Sequence, residues 1–564
     1  MVNCQEQIYS NEYFDFIIGY GEAQRVPVAD ACIQRIDEDY DIFYYNRQGL
    51  PPLGIGYYTY TATPKCYGLQ DTTALEVSGI IRMQNIQALQ LKGSGVLIGV
   101  IDTGIDYTNP LFRFSDGSSR ILSIWDQSIP YKGGVGKMPE GIAYGTEYSR
   151  EAINLALENE NPLSVVPSID SNGHGTFLTG VACGGEDVAN DFIGAAPFAE
   201  IAVVKLKEAK KYLRDFYFIP SEVPAYQEND IMMAVAYLNQ LANVYNLPLV
   251  ICMTLGTSMG SHGRDGFLSS YLNYISTRRK RVVITATGNE ANSRHHFLGR
   301  IEGEMEYEDV EISVTEDMEG FFVELWAVAP ALYSVAVISP SGEILQRSNT
   351  GESAEYRFLF ENTVVTVDYR IESSETANQL IFLRFAAPKR GLWIIRVYGE
   401  NPQSGSFNLW LPMEQMLGGE VFFIRSNPDI TITSPGMSLQ VITVGGYNAF
   451  DNSILAVSGR GYTAGGQVKP DFVAPAVNVW GPGLRNDFIS KTGSSVACAI
   501  AAGGCAQIME WAFVLQNEPK LSAAGIKNML IRGTNQEEIR SYPNREWGYG
   551  TLDVYQAFNN LRML

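Results

Sequence analysis

Three residues in this sequence have the types needed for hydrolytic chemistry: Asp102, His174 and Ser495. A serine hydroxyl becomes a good nucleophile when a neighbouring base removes its proton, and imidazole titrates near neutrality, so it can act as that base and then as an acid. A carboxylate fixes the imidazole tautomer and stabilises the imidazolium. Together the three residues predict a catalytic triad for acyl transfer.

The local sequence predicts how each residue is held. Asp102 ends the aliphatic run VLIGVID, which is typical of a buried parallel strand, and α/β folds place their chemistry at the carboxyl ends of such strands. Ser495 opens a small-residue apolar run that predicts a buried helix, whose N-terminus favours negative charge. Taken singly, Asp102 could cap a turn and Ser495 could cap a helix. His174 is the only one of four histidines that opens an apolar helix.

Further strand and helix patterns surround these residues. Residues 199–205, 248–255 and 281–290 are predicted strands, and residues 230–246 have a helical pattern. This alternation predicts an α/β doubly wound parallel sheet. Asn289 lies at the end of the last of these strands, where its amide could donate to a tetrahedral oxyanion beside the backbone N–H of Ser495.

The pattern changes in other parts of the chain. From about 300 to 425, apolar and polar residues alternate at period two between turns, which predicts an inserted all-β sandwich or jelly roll. The first 70 residues predict a small α+β unit with an extended tail rich in Gly, Pro and Tyr. The polar, turn-rich residues 115–170 predict a surface insertion.

Composition argues against nucleic acid, anionic membranes, a disulfide framework and a zinc site. The 564 residues carry a net charge of −21, which disfavours binding to nucleic acid and to anionic membranes. No basic residue precedes Arg25, so we expect no secretory signal peptide and a cytoplasmic or otherwise unsecreted protein. The seven scattered cysteines contain no CxxC pair and predict neither a disulfide framework nor a zinc site.

Two other groups of polar residues are predicted to be structural and exposed to solvent. We expect His295 and His296 to lie in a solvated loop, and the acidic run 302–311 to form a solvent-facing edge. A calcium site in that run is the less favoured alternative. No cofactor and no metal are expected.

Five sequence blocks resemble the subtilisin-like serine proteases, peptidase family S8. They are residues 100–104 (VIDTG), 173–176 (GHGT), 287–289 (TGN), 470–475 (PDFVAP) and 493–497 (GSSVA). The order Asp, His, Ser is also that of subtilisin. The family's usual nucleophile block is GTSMA, so Ser494 and Val496 depart from it conservatively. The resemblance covers roughly residues 75–300 and 430–560, and it implies an active endopeptidase with a subtilisin-like fold.

The resemblance also implies a substrate-binding cleft. Thr254, Leu255 and Gly256 would pair with the substrate backbone and line the S1 pocket, and Ala286, Thr287 and Gly288 would form the other wall. The block 256–260 (GTSMG) is more similar to the family's usual nucleophile block, GTSMA, than the block 493–497 (GSSVA) is. It follows a strand, precedes Asn289 and opens no long helix, so Ser258 is not predicted to be the nucleophile.

The β module between Asn289 and Ser495, together with an N-terminal prodomain, is most similar to the clostridial Csp-type germination proteases. This resemblance predicts a prodomain at 1–70, a first catalytic part at 71–299, a jelly-roll domain at 300–425 and a second catalytic part at 426–564. It also predicts autocleavage between Gln70 and Asp71, retention of the cleaved prodomain and a spore-associated location. The resemblance further implies a protein substrate, such as the precursor of a spore cortex hydrolase.

Two alternatives to an active protease are compatible with the sequence. One is a pseudoprotease, a folded scaffold that acts by protein binding, since the Csp group includes members with degraded triads. The intact set of Asp102, His174 and Ser495 favours the active enzyme. The other is a carbohydrate-binding role for the β module, for which no exposed aromatic pattern was found.

Overall fold

The structure is a computed structural model of the chain. It describes residues 4–19, 32–54, 56–67, 78–87, 89–263, 266–302, 306–345, 347, 353–371, 378–400 and 405–563. The predicted fold class is confirmed: a doubly wound, largely parallel sheet carries an inserted jelly-roll module, and a small α+β unit precedes it.

The central sheet has nine strands in the order β23-β22-β11-β10-β5-β8-β6-β7, with β24 paired to β22. The pairs between β5, β6, β8, β10, β11, β22 and β24 are parallel, whereas β7 and β23 are antiparallel edges. The strands are β5 Leu97–Asp102, β6 Ile121–Asp126, β7 Thr146–Ser149, β8 Glu200–Lys205, β10 Leu249–Met253, β11 Arg281–Ala286, β22 Ile442–Asn448, β23 Ser453–Ile454 and β24 Phe472–Pro475.

Helices cover both faces of this sheet, because its strands bury side chains on each side. In β5, Ile98 and Val100 join the core cluster that contains α8, whereas Leu97 and Ile101 join the cluster that contains α6 and α7. The helices are α1 Cys4–Tyr9, α2 Ile80–Asn85, α3 Arg150–Leu157, α4 His174–Cys183, α5 Lys211–Tyr217, α6 Glu228–Val244, α7 Phe267–Thr277, α8 Ser494–Met509, α9 Ala523–Arg532 and α10 Val554–Asn559.

Helix α8 is the predicted buried helix, and a π-helical segment extends it to Val514. Among the described residues, only the helical span Ser494–Val514 has the length and apolar composition that could cross a bilayer. In this structure, 94% of its most apolar 18-residue stretch is buried inside the protein. Its small residues allow close packing. A Cβ added at Gly503 would lie 2.2 Å from the Ala195 methyl and 2.9 Å from the Ala182 carbonyl oxygen of α4.

The inserted module is a sandwich of two antiparallel sheets with its own apolar core. One sheet has the order β12-β20-β14-β18-β17-β16 and the other β15-β19-β13-β21. Its strands are β12 His296–Arg300, β13 Tyr307–Val314, β14 Gly320–Ala327, β15 Tyr333–Ile338, β16 Ala354–Phe358, β17 Thr363–Ile371, β18 Gln379–Ala386, β19 Gly391–Gly399, β20 Ser406–Trp410 and β21 Val421–Phe423.

The N-terminal unit packs a three-stranded antiparallel sheet on the α/β part of the chain. Its order is β1-β3-β2, and Ile17 lies opposite Ile42 in register. These two side chains face the α6 core cluster, whereas Phe16 and Phe43 face a second cluster. The remaining strands of the fold are β1 Tyr13–Gly19, β2 Cys32–Arg35, β3 Tyr40–Asn46, β4 Cys66–Tyr67, β9 Tyr226–Gln227, β25 Val479–Pro482 and β26 Phe488–Lys491.

Two expectations about the fold and its cysteines are wrong. Residues 115–170 are not a surface insertion, because they supply β6, β7 and α3, and Trp125 of β6 is fully buried. The short run ILSIW pairs with β8, and this long-range pairing is not visible in the surrounding polar sequence. The cysteines also include a disulfide, Cys4–Cys32, whose Cα atoms are 5.5 Å apart. Their separation of 28 residues gives no indication of this pairing.

Candidate active site

The structure brings Asp102 and His174 into direct contact. Asp102 is the last residue of β5, and His174 is the first residue of α4. His174 Nδ1 lies 2.8 Å from Asp102 Oδ1 and 2.9 Å from Oδ2. Both side chains are buried. This contact fixes the ring orientation, so that Nδ1 carries the hydrogen toward the carboxylate and Nε2 is the nitrogen that can act as a base.

Hydrogen bonds keep the Asp102 carboxylate ionised. Burial alone would raise its pKa, but the charge and hydrogen bond of His174, with donors from Thr103 and Thr254, hold the pKa of Asp102 below its usual range. The Thr103 N–H donates to Oδ1 at 2.7 Å, and Thr254 Oγ1 donates to Oδ2 at 2.7 Å. A lowered pKa suits a group that must stay negative while the imidazole is protonated.

Ser495 lies at the first turn of α8 and is fully buried. Among the described residues, its Oγ has no hydrogen-bond partner. The neighbouring Ser494 anchors the turn, because its N–H donates to Asn289 Oδ1 at 3.1 Å and its Oγ donates to the Gly288 carbonyl at 3.1 Å. The amide of Asn289 is therefore held against the serine turn, with Nδ2 as its donor.

The three predicted catalytic residues and Asn289 share one edge of the sheet. Strands β5, β10 and β11 are parallel neighbours, so Asp102, Thr254 and Asn289 all lie at or just beyond their carboxyl ends. Helix α8 packs against α4 and against all three strands. Both helices begin at this edge, because His174 contacts Asp102 and Ser494 contacts Asn289.

All six residues predicted to bind substrate lie beside this edge and are buried. The side chain of Thr254 hydrogen-bonds to Asp102, a contact that the sequence pattern did not reveal. The carbonyl of Thr287 accepts from Thr433 N at 3.0 Å, and that of Gly288 accepts from Gly459 N at 2.9 Å. Their assignment to the substrate cleft, including Leu255, Gly256 and Ala286, stays a prediction.

The end of the N-terminal unit pairs with the α/β part of the chain near Asp102. Cys66 and Tyr67 of β4 pair antiparallel with Gln227 and Tyr226 of β9. Tyr226 lies close enough to the triad that, after burial, the charge of Asp102 is the next largest cause of its raised pKa. The predicted cleavage site, Gln70 and Asp71, lies outside the described residues.

A buried carboxylate of the jelly roll joins three parts of the chain. Glu324 of β14 is 1% exposed. Its Oε1 accepts from Tyr60 of the N-terminal tail at 2.6 Å, and its Oε2 accepts from the Gly260 N–H at 2.8 Å and from Trp326 Nε1 at 2.9 Å. Gly260 lies six residues after Thr254, in the segment 254–260. Nearby in the tail, Lys65 forms a buried ion pair with Glu228 at 3.5 Å.

Histidines form a second contact between the jelly roll and this segment. His262 stacks on Trp410 with ring centroids 4.0 Å apart, and His296 stacks near the same ring at 4.9 Å. The expectation of a solvated His295–His296 loop is therefore wrong: both are buried, and His295 lies 3.5 Å from Glu290. The packed interface with the β module was not visible in the local sequence.

Residues 307–311 of the acidic run lie in β13, where two of the carboxylates form ion pairs with arginines. Glu308 pairs with Arg425, and Asp309 pairs with Arg396 at 2.7 Å. Over the ranges that the structure describes, no group of three or more His, Cys, Asp or Glu side chains is arranged to hold a metal ion.

Comparison with known proteins gives one consistent result. The sequence signature of the subtilase family, peptidase family S8, matches residues 93–361 and 404–550. The structure of the CspB protease of Clostridium perfringens is similar, with a TM-score of 0.75 and 30% identity, covering 86% of this chain and 96% of that one.

Curated relatives are matched over shorter stretches. Serine protease AprX of Bacillus subtilis (strain 168) is 34% identical over 133 residues, which are 20% of this chain and 29% of AprX. The membrane-bound transcription factor site-1 protease of Mus musculus is 29% identical over 137 residues, 23% of this chain and 12% of that protein. The match thus spans less than a third of either relative. The family match covers most of this chain, which therefore belongs to the subtilase family of subtilisin-like serine proteases.

Proposed function

We propose that the chain is an active endopeptidase that hydrolyses peptide bonds through Asp102, His174 and Ser495. The observation that carries this proposal is the placement of all three at one sheet edge, with His174 bonded to an ionised Asp102. A catalytically silent scaffold that acts by protein binding is the alternative, and the intact hydrogen bonding of the acid and the histidine disfavours it.

The residues have the following roles in this proposal. Ser495 Oγ attacks the scissile carbonyl while His174 Nε2 takes its proton, and Asp102 stabilises the imidazolium. The carbonyl oxygen becomes an oxyanion, which the Ser495 N–H and Asn289 Nδ2 stabilise. His174 then gives the proton to the leaving amine, which leaves an acyl-enzyme that water hydrolyses by the same steps in reverse order.

Labelling with a fluorophosphonate tests the catalytic assignment. The native protein should form a covalent adduct on Ser495, identified by peptide mass, whereas Ser495→Ala should remain unlabelled and inactive on peptide substrates with an unchanged fold. Ser258→Ala is the matched control and should still be labelled. A native protein that folds, is not labelled and yet binds a protein partner would support the scaffold alternative.

We further propose that residues 1–70 act as a prodomain that the enzyme cleaves between Gln70 and Asp71 and then retains. The pairing of β4 with β9, the Lys65–Glu228 ion pair and the contact of Tyr60 with Glu324 support retention. Intact mass compares the native protein with its Ser495→Ala form. A single uncut native chain, or equal cutting in both proteins, would contradict self-processing.

A protein precursor, such as that of a spore cortex hydrolase, is the proposed natural substrate, in a cytoplasmic or spore-associated setting. The similarity in structure to the CspB protease supports this class. The native enzyme and Ser495→Ala should be incubated with such a purified precursor. Specific cleavage by the native enzyme alone is expected, and an intact precursor under conditions where a peptide substrate is hydrolysed would refute this choice of substrate.

A further inference from the structure

Asp170 is a second buried carboxylate beside the triad, four residues before His174 and 5% exposed. Five donors reach it. Its Oδ1 accepts from Thr103 Oγ1 at 2.9 Å, Asn172 N at 3.1 Å and Gly173 N at 2.8 Å. Its Oδ2 accepts from Thr176 N at 2.9 Å and Thr176 Oγ1 at 2.7 Å.

These bonds fix the backbone on both sides of His174. Gly173, which precedes the histidine, adopts the left-handed conformation with φ 84°, and its N–H is bonded to Asp170. Thr176 is the third residue of α4, and its N–H has no helical carbonyl partner at this position. Asp170 accepts from this N–H and places its negative charge at the positive end of the helix.

Thr103 connects this carboxylate to the acid of the triad. Its Oγ1 lies 2.9 Å from Asp170 Oδ1 and 3.2 Å from Asp102 Oδ1. The same oxygen accepts from the N–H of Gly175, the residue after His174, at 3.0 Å. The strand end that carries the acid and the helix start that carries the base are thus joined by one network.

We propose that Asp170 is a positioning residue of the active site, which holds His174 and Asp102 in reactive alignment and adds a negative charge that favours the imidazolium. This inference rests on the proposed endopeptidase activity. Asp170 contacts neither Ser495 nor the predicted substrate segments through any hydrogen bond of the described residues, and it acts through the histidine turn.

Other charged or titratable groups surround this turn, and they define the background of any pH effect. Asp102 and Lys205 end neighbouring strands, and the charge of Asp102 acts on Tyr226. The Asp106 N–H donates to Thr176 Oγ1, and Lys491 lies over the Phe177 ring. Lys205 is paired with Asp126 at 3.4 Å. Of these groups, Asp102 shares one donor with Asp170, the hydroxyl of Thr103.

The test is Asp170→Asn, which keeps the size but removes the charge and presents an NH₂ group to N–H and O–H donors. Per fluorophosphonate-titrated site, we expect kcat to fall on the order of 10- to 100-fold, because misplaced reacting groups cost about this much. KM should stay within about threefold, since the substrate contacts are kept. The acid limb of the pH profile of kcat/KM should move to lower pH, because the imidazolium loses a nearby negative charge.

Asp187→Asn is the matched control. Asp187 also accepts backbone N–H groups at the start of a short helix, from Ala189 at 3.0 Å and Asn190 at 3.2 Å, but it has no bond to the histidine turn. It should keep the native kcat and pH profile. If Asp170→Asn does not fold, the pair Thr103→Val and Thr103→Ser replaces it. Valine should lower kcat and shift the acid limb, and serine should restore both.

Two results would overturn the positioning role. One is an Asp170→Asn enzyme with native kcat per titrated site and a native acid limb, which would show that the residue only stabilises the fold. The other, where that variant does not fold, is equal activity of the two Thr103 variants. Failure of the native enzyme to react with the fluorophosphonate would instead refute the proposed activity, so the two failures are distinguishable.

Discussion

Replacing Glu324 with alanine should loosen the junction of the N-terminal tail, the jelly roll and the segment that follows Thr254. The side chain accepts hydrogen bonds from Tyr60, Gly260 and Trp326, and all three donors would lose their acceptor in a buried site. Glu324→Gln is the matched control. Its carbonyl oxygen can accept from Gly260 and Trp326, while its amide NH₂ can donate to the Tyr60 oxygen.

The size of the effect follows from the number of donors. Each buried donor left unsatisfied costs about 1–3 kcal/mol. Burial raises the pKa of Glu324, so the carboxylate itself is poorly solvated and its removal returns part of that energy. We therefore take the low end, about 3 kcal/mol for the three donors, which is roughly a 100-fold change in a local opening equilibrium.

Amide hydrogen exchange measures this opening directly. In a Ser495→Ala background, which removes the proposed nucleophile, peptides covering residues 56–67 and 258–263 should exchange roughly 100-fold faster in Glu324→Ala, with a change below about tenfold in Glu324→Gln. Peptides from β5 and α6 should be unaffected. Protection in Glu324→Ala within threefold of the parent, or equal loss in the two variants, would refute the reasoning.

Three further predictions concern the cleft and its surroundings. Asn289→Ala should lower kcat about 100- to 1,000-fold with little change in KM, because an oxyanion donor acts mainly in the transition state; an unchanged kcat would contradict its role. Ser258→Ala should keep most activity, since His262 is bonded to the Ser258 carbonyl and not to its hydroxyl, and loss of activity in a folded variant would contradict this. Burial lowers the pKa of His262 to about 3, below its usual 6.5, so the folded state should lose stability as the pH falls from 6.5 toward 3. His262→Phe should therefore narrow the difference in Tm between pH 7 and pH 5, and an unchanged difference would refute this explanation.

The sequence was sufficient to predict the elements that carry Asp102, His174 and Ser495. Each residue follows or opens a long apolar run, and such runs identify buried strands and helices with little ambiguity. The period-two alternation of residues such as Trp393, Ile395 and Val397 likewise predicted the β module, where these side chains face the core. Fold class and the neighbourhood of the candidate site were therefore accessible from local pattern.

Contacts between residues distant in sequence were not accessible. Thr254 was assigned to the substrate cleft from position, yet its hydroxyl bonds to Asp102 because β10 and β5 are neighbours. Glu324 occupies an ordinary alternating strand, and only the docking of three parts of the chain makes it a junction. The partnership of Cys4 and Cys32 also depends on a tertiary arrangement that spacing does not encode.

The insertion of the jelly roll affects the order in which the enzyme can be assembled during synthesis. Strands β11 and β22 are hydrogen-bonded neighbours, but residues 287–441 lie between them in the chain. At about 5–20 residues per second, the ribosome needs on the order of ten seconds to make this stretch. During that interval β11 can pair with β10 on one side, but its other edge lacks its partner β22. Helix α8 with Ser495 has not yet been made. The nascent chain therefore holds Asp102, His174 and Asn289 well before its nucleophile, so no peptide bond can be cut by this site until the jelly-roll sequence has been completed.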